Sequence, residues 1–226
     1  MKELITNAYP KSSITEAIKT IKTNLRFSSV NKKIKTILIT SPVAEEGKSF
    51  ISSNLAATFA TETEKVLLID CDLRRGRQHN IFELTKENSL GLSNLLIDEE
   101  WDKNLNKYIN KTEVANLDIL LSGATPPNSS ALLESQKIEE LVDKLKKKYD
   151  VIIFDAPPVI GLTDALILTR LADVVLIVAR ARKTTMEMLE NTKIALEKVN
   201  ANIAGVILNR ISAKDNKYFK NYYEQI

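Results

Sequence analysis

Short apolar runs in this chain alternate with longer segments in which apolar residues recur every three to four positions. The runs at Thr36–Thr40, Val66–Asp70, Leu117–Leu121, Val151–Asp155, Val174–Ala179 and Ile203–Leu208 read as strands. Several are unbroken Val/Ile/Leu stretches, the pattern of parallel strands covered on both faces. Helical patterns lie between them at Lys48–Thr61, Ser130–Lys148, Asp164–Leu171 and Thr184–Val199, and Ser13–Phe27 reads as a leading amphipathic helix. The alternation predicts an α/β fold with a mostly parallel central sheet, right-handed crossovers and helices on both faces. Such sheets bind ligands at the carboxyl ends of their strands, which is where the polar motifs of this chain fall.

Composition narrows the reading. The 226 residues are 44% hydrophobic and 27% charged, without repeats or a Pro/Ser-rich linker. A single domain over 1–226 is expected, with the leading helix at 12–28 and a polar tail at 214–226. The net charge of +3 is not concentrated in one block. The longest basic run, Lys146 to Lys148, closes a helical pattern and suits a helix C-terminus better than nucleic acid, so no nucleic-acid partner is expected. The single cysteine, Cys71, cannot form an intrachain disulfide and fits a reducing compartment. No stretch approaches the roughly 20 apolar residues that span a bilayer, so the chain is expected to be cytoplasmic and to reach a membrane only through a partner.

The strand Thr36–Thr40 runs into Ser41-Pro42-Val43-Ala44-Glu45-Glu46-Gly47-Lys48-Ser49 and then directly into a helix. This is the strand–loop–helix setting of a P-loop, with Pro42 in place of the first glycine of the pattern. Backbone N–H groups from Val43 to Phe50, at the loop and the helix N-terminus, would hold phosphates. Lys48 would reach the β- and γ-phosphates of ATP, and the Ser49 hydroxyl would ligate Mg²⁺. Glu45 and Glu46 place negative charge beside an anion site and should weaken it unless they point outward.

Two other strands end in acid. Val66–Asp70 continues as Cys71-Asp72-Leu73-Arg74-Arg75, and Val151–Asp155 as Ala156-Pro157-Pro158. A carboxylate at the mouth of an apolar strand is costly to bury without a partner, and a phosphate-bound Mg²⁺ supplies one. Asp155 fits a Walker B carboxylate acting on the metal through water. Asp70 and Asp72, two apart on an extended chain, would point the same way; one would assist the metal and the other accept a proton from an attacking hydroxyl or water.

Taken together, Gly47-Lys48-Ser49, Asp70-x-Asp72-Leu73-Arg74-Arg75 and Asp155-Ala156-Pro157-Pro158 resemble the Walker A, Walker A-prime and Walker B motifs of the bacterial tyrosine kinases of capsule and exopolysaccharide synthesis. Thr23-Asn24-Leu25, Gly91-Leu92-Ser93, Pro126-Pro127-Asn128, Thr163-Asp164-Ala165 and Gly205-Val206-Ile207-Leu208-Asn209 extend the resemblance over nearly the whole chain. It implies ATP and Mg²⁺ as cofactors, Asp70 as base toward a tyrosine hydroxyl, Asp72 and Asp155 serving the metal, and Asn209 near the adenine. It further implies transfer of the γ-phosphoryl group to Tyr218, Tyr222 and Tyr223, three of the six tyrosines in the chain, usually on a neighbouring subunit. Glu16, Lys19 and Lys22 match positions that join subunits into a ring, with lysine where the family carries arginine. A transmembrane adaptor of the chain-length-regulating type and a phosphotyrosine phosphatase are the remaining implied partners, which would hold the kinase at the inner face of the membrane.

Two other functions fit part of the pattern. A deviant Walker ATPase of the partitioning or division-site type would hydrolyse ATP as a switch, but it carries a lysine where this loop has Val43. A degenerate family member would bind nucleotide weakly and act by contact alone. His79 reads as loop packing or a tail contact, Trp101 as packing or a subunit contact, and Cys71 as buried filler whose flanking aspartates raise its pKa.

Overall fold

A computed structural model describes residues 3–27, 33–60, 64–85 and 90–212. The strands are β1 (Thr36–Thr40), β2 (Val66–Asp70), β3 (Ile109–Lys111), β4 (Leu117–Leu120), β5 (Val151–Asp155), β6 (Val174–Arg180) and β7 (Ile203–Asn209). The helices, in chain order, are α1 (Ile5–Ala8), α2 (Ser13–Phe27), α3 (Lys48–Phe59), α4 (Gln78–Ile81), α5 (Leu92–Ile97), α6 (Trp101–Asn104), α7 (Ser129–Glu134), α8 (Gln136–Leu145), α9 (Asp164–Leu168) and α10 (Met186–Lys198), with 3-10 turns at Leu105–Lys107 and Thr169–Leu171.

The strands form one seven-stranded sheet in the order β3-β4-β2-β5-β1-β6-β7. Every pairing is parallel except that of β3 with β4. Because side chains alternate across a strand, the unbroken apolar strands feed two cores. Leu38, Leu67, Ile69, Ile152 and Phe154 face α5, α7, α8 and α9, whereas Ile37, Ile39, Val66, Leu68 and Ile153 face α2 and α3. Helix α3 lies between the sheet and α2 and is buried on nearly every side. Helix α2 is amphipathic and buries Thr15, Ile18 and Leu25. With β5 between β1 and β2, the phosphate-loop strand and both acid-tipped strands stand side by side.

Two departures from the sequence pattern have local causes. The expected helix Ser130–Lys148 is broken at Ser135, whose backbone turns extended at φ −62° and ψ 150°. Its hydroxyl donates to the carbonyl of Leu132 at 2.7 Å, the kind of local bond that competes with helix continuation. The added strand β3 spans three residues at the sheet edge, too few to show a period.

Candidate active site

The chain leaves β1 through a loop tied to the segment after β5. Val159 N–H donates to the carbonyl of Ser41 at 2.9 Å and Ile160 N–H to that of Pro42 at 3.0 Å. Pro42 therefore occupies the first-glycine position as a clamped, buried corner. The loop ends at Gly47, whose φ of 98° caps α3. That left-handed conformation favours glycine, and a Cβ there would lie 2.1 Å from Asn209 Nδ2. Asn209, at the end of β7, donates to the carbonyl of Glu46 at 2.9 Å. Glu45 is exposed, with Lys183 at 3.9 Å, and also has a left-handed φ of 66°. Glu46 is wholly buried and accepts a hydrogen bond from the Thr184 hydroxyl. Its other carboxylate oxygen has no partner among the described residues.

Asp70 and Asp155 are register partners at the ends of β2 and β5, and both are wholly buried. Burial first, then the Asp155 charge, raises the proton affinity of Asp70 well above that of an ordinary carboxylate. Asp155 is raised chiefly by burial too, opposed by the Lys48 ammonium and by hydrogen bonds from Gln78 and Ser49. Asp72 does not point with Asp70. The chain leaves the strand at Asp70, and Asp72 sits in the following turn, where its Oδ1 accepts the N–H groups of Arg74 and Arg75 at 3.3 and 2.8 Å. Asp72 lines the cleft; Asp70 lies behind it under Gly76, where a Cβ would come within 2.7 Å of Asp70 Oδ2. The thiol of Cys71 is buried and pushed up, first by burial and then by Asp70.

Sequence reasoning missed Gln78. Wholly buried at the start of α4, its Nε2 donates to Asp155 Oδ2 at 2.8 Å and to the Ser49 carbonyl at 3.2 Å. It also missed the clamp on Arg74, whose Nε and Nη2 meet the two oxygens of buried Asp164 at 3.0 and 3.3 Å. The Ser130 hydroxyl completes that clamp at 2.6 Å.

These groups border a cleft of about 1260 Å³ lined by Ala44, Glu45, Gly47, Lys48, Ser49, Phe50, Asp72, Arg74, Arg75, Arg77 and Asn209, with α2 on its far wall. The donors suit a polyphosphate: a helix N-terminus, a lysine and three arginines. They suit Mg²⁺ as well. No three His, Cys, Asp or Glu side chains form a cage among the described residues, but Mg²⁺ that arrives on phosphates uses one or two carboxylates and waters. On α2, Glu16 and Lys19 pair with each other at 2.8 Å on the exposed face. Lys22 turns inward instead, donating to the Thr58 carbonyl at 2.8 Å beside the Phe59 ring. Tyr218, Tyr222 and Tyr223 lie outside the described residues.

Comparison with known proteins agrees with this layout. A family model described as AAA domain matches residues 34–207. The tyrosine-protein kinase YwqD of Bacillus subtilis strain 168 is 38% identical over 208 residues, covering 92% of this chain and 86% of that protein. The kinase domain of Escherichia coli tyrosine kinase ETK superposes with a TM-score of 0.85 at 34% identity, covering 93% of this chain and 81% of that one. The septum site-determining protein MinD of Pyrococcus horikoshii OT3, solved with Mg-ADP, gives a TM-score of 0.65 at 25% identity, covering 80% and 73%. The kinases are the nearer match in both fold and sequence, and the three strand-end motifs belong to the same site; the chain is a member of the bacterial tyrosine-protein kinase family.

Proposed function

We propose that the chain is an ATP-dependent protein-tyrosine autokinase that phosphorylates Tyr218, Tyr222 and Tyr223 of its own C-terminal segment and thereby regulates capsular or exopolysaccharide synthesis and export. The observation that carries this reading is the convergence of Lys48 and Ser49 at the start of α3 with the paired carboxylates of Asp70 and Asp155.

In this reading the N–H groups from Val43 to Phe50 hold the phosphates of ATP, and Asn209 borders the adenine. Lys48, 7% exposed, neutralises charge on the β- and γ-phosphates where little water screens it. Ser49, Asp72 and Asp155 would hold Mg²⁺, which when bound draws charge from the bridging phosphate oxygens. Asp70 takes the proton of the acceptor tyrosine, and burial raises its affinity for that proton. The tyrosine oxygen then bonds to the γ-phosphorus as the bond to the ADP oxygen breaks. Since Asp70 is wholly buried in this state, acceptor entry requires the turn from Asp72 to Arg77 to open.

The partners follow from the same reading. Glu16 and Lys19 face outward and are available to a neighbouring subunit in a ring, while Lys22 must first leave the Thr58 carbonyl. No helix among the described residues is long and apolar enough to cross a membrane, which accords with a kinase held at the inner face of the membrane by a transmembrane adaptor and reset by a phosphotyrosine phosphatase. The test is mass spectrometry of the C-terminal peptide after incubation with Mg·ATP. Phosphate on Tyr218, Tyr222 or Tyr223 that disappears in Lys48→Met supports the reading. An unmodified tail, with and without the adaptor's cytoplasmic segment, overturns it.

A further inference from the structure

Gln78 carries no charge and cannot enter a proton or phosphoryl transfer, yet it touches three elements of the site, β2, β5 and α3. Its Nε2 reaches Asp155 Oδ2 on β5 and the carbonyl of Ser49 on α3. Its Oε1 lies 2.7 Å from the Ser53 hydroxyl, one turn further along α3. Its backbone N–H donates to Asp70 Oδ2 on β2 at 3.2 Å. A four-residue helix thus links both strand-end carboxylates to the phosphate-loop helix.

The orientation of the amide is fixed by chemistry. A carboxylate and a carbonyl can only accept, so the end facing Asp155 and Ser49 must be the NH₂, and its two hydrogens match its two acceptors. The other end faces a hydroxyl that can donate. Reversing the amide would set an oxygen against two oxygens in a buried site, which is strongly unfavourable.

Gln78 is also a steadier donor to Asp155 than the Ser52 hydroxyl. The Ser52 hydroxyl lies 3.1 Å from Asp155 Oδ1 but also 2.8 Å from the Lys48 carbonyl. It has one proton for two acceptors. The Gln78 NH₂ has one hydrogen for each of its two acceptors. Being neutral, it fixes the Asp155 carboxylate without cancelling the charge a cation would use, and the same nitrogen pins the backbone of Ser49, whose hydroxyl is the other candidate ligand. Hydrogen bonds of this kind to metal-binding side chains commonly set metal affinity.

We propose that Gln78 is a positioning residue for the metal pole of the site, holding Asp155 and Ser49 in the mutual arrangement that lets the protein prefer Mg²⁺-bound over metal-free nucleotide. This rests on the nucleotide reading above. It assigns Gln78 no contact with nucleotide, only with the groups that would hold the cation.

The test measures the affinity of the full chain for a fluorescent ADP analogue in Mg²⁺ and in EDTA. The readout is the ratio of the two dissociation constants. Gln78→Glu keeps the shape but replaces the donor facing Asp155 with an oxygen, and Gln78→Met removes both polar ends without adding charge. Wild type should bind more tightly with Mg²⁺. Both variants should lower that preference by about 10-fold or more, with metal-free affinity changed by no more than about twofold. Ser53→Ala, which cuts the far tether of the amide and the Ser53 hydroxyl's own bond to the Ser49 carbonyl but leaves the Gln78 NH₂ on Asp155 and Ser49, should leave the preference nearly intact. Gln78→Met guards against Gln78→Glu failing to fold. An unchanged preference in Gln78→Met overturns the proposal. So does an equal loss in Mg²⁺ and EDTA alongside a lowered melting temperature, which marks Gln78 as a packing residue. If wild type binds under neither condition, the nucleotide reading itself falls.

Discussion

Gly47→Ala is the most informative single change to the loop, because its cost divides into two parts that can be measured separately. The first part is conformational. Gly47 has a φ of 98°, and an L side chain in left-handed backbone costs about 1–2 kcal/mol. The second part is a collision: the new Cβ would lie 2.1 Å from Asn209 Nδ2. That amide is the end of a side chain and can swing away, but only by releasing the Glu46 carbonyl it holds at 2.9 Å. Losing that bond adds about 0.5–1.5 kcal/mol. The sum is about 1.5–3.5 kcal/mol, which for a domain of this size lowers the melting temperature by about 3–14 °C. In an Asn209→Ala background the collision is gone and only the conformational part remains. The double-mutant cycle should therefore show a coupling of about 1 kcal/mol. Urea denaturation of the four proteins measures it. A Gly47→Ala cost below about 0.5 kcal/mol, or the same cost with and without Asn209, would refute the reasoning.

Other consequences can be checked with simple variants. Glu45→Gly relieves a left-handed φ of 66° and removes a negative charge near the phosphates, so it should raise stability by up to about 1 kcal/mol and tighten ADP binding; weaker binding in a titration contradicts this. Arg74→Ala leaves the buried Asp164 carboxylate with only the Ser130 hydroxyl among the described residues and should destabilise by about 3 kcal/mol. Asp164→Asn should cost less than half as much in urea denaturation, because the half-exposed Arg74 can turn to water. Asp98 has its pKa lowered to about 2, first by the Tyr108 hydroxyl at 2.6 Å. A depressed folded-state pKa contributes stability above the unfolded value near 3.9 that is lost as pH falls toward 2. Tyr108→Phe should thus be less stable than wild type at pH 5, with the gap closing by about pH 2 in acid melts; a gap independent of pH would exclude the hydroxyl as its source.

The sequence exposed those parts of the site that lie along one continuous stretch of chain. Strand β1, its loop and α3 follow one another from Thr36 to Phe59, and an acid at the end of an apolar strand is conspicuous, so Lys48, Ser49, Asp70 and Asp155 could be named without coordinates. Where geometry was extrapolated past an element's end, the reading failed. The two-residue spacing of Asp70 and Asp72 implies a shared direction only along a continuing strand, and β2 ends at Asp70, with the Asp72 carboxylate turned onto the N–H groups of Arg74 and Arg75. Gln78 was invisible for another reason. Its partner Asp155 is 77 positions away, and nothing in a glutamine between arginines and a histidine marks it as a hydrogen-bond hub. Lys22, with Glu16 and Lys19, matches a position that the family resemblance assigns to contact between subunits. On the folded helix it lies nearer the buried face and donates to the Thr58 carbonyl in the last turn of α3, as a cation near a helix C-terminus is expected to do.

The central claim is that the γ-phosphoryl group passes to a tyrosine of the chain rather than to water. A single turnover with radiolabelled Mg·ATP and excess protein divides the label between protein phosphotyrosine and inorganic phosphate. The account predicts most of the label on the C-terminal peptide in wild type, with none after Lys48→Met and none on that peptide when Tyr218, Tyr222 and Tyr223 are changed to phenylalanine. Label appearing wholly as inorganic phosphate, at a rate indifferent to the three phenylalanines, would contradict it and identify a hydrolytic switch.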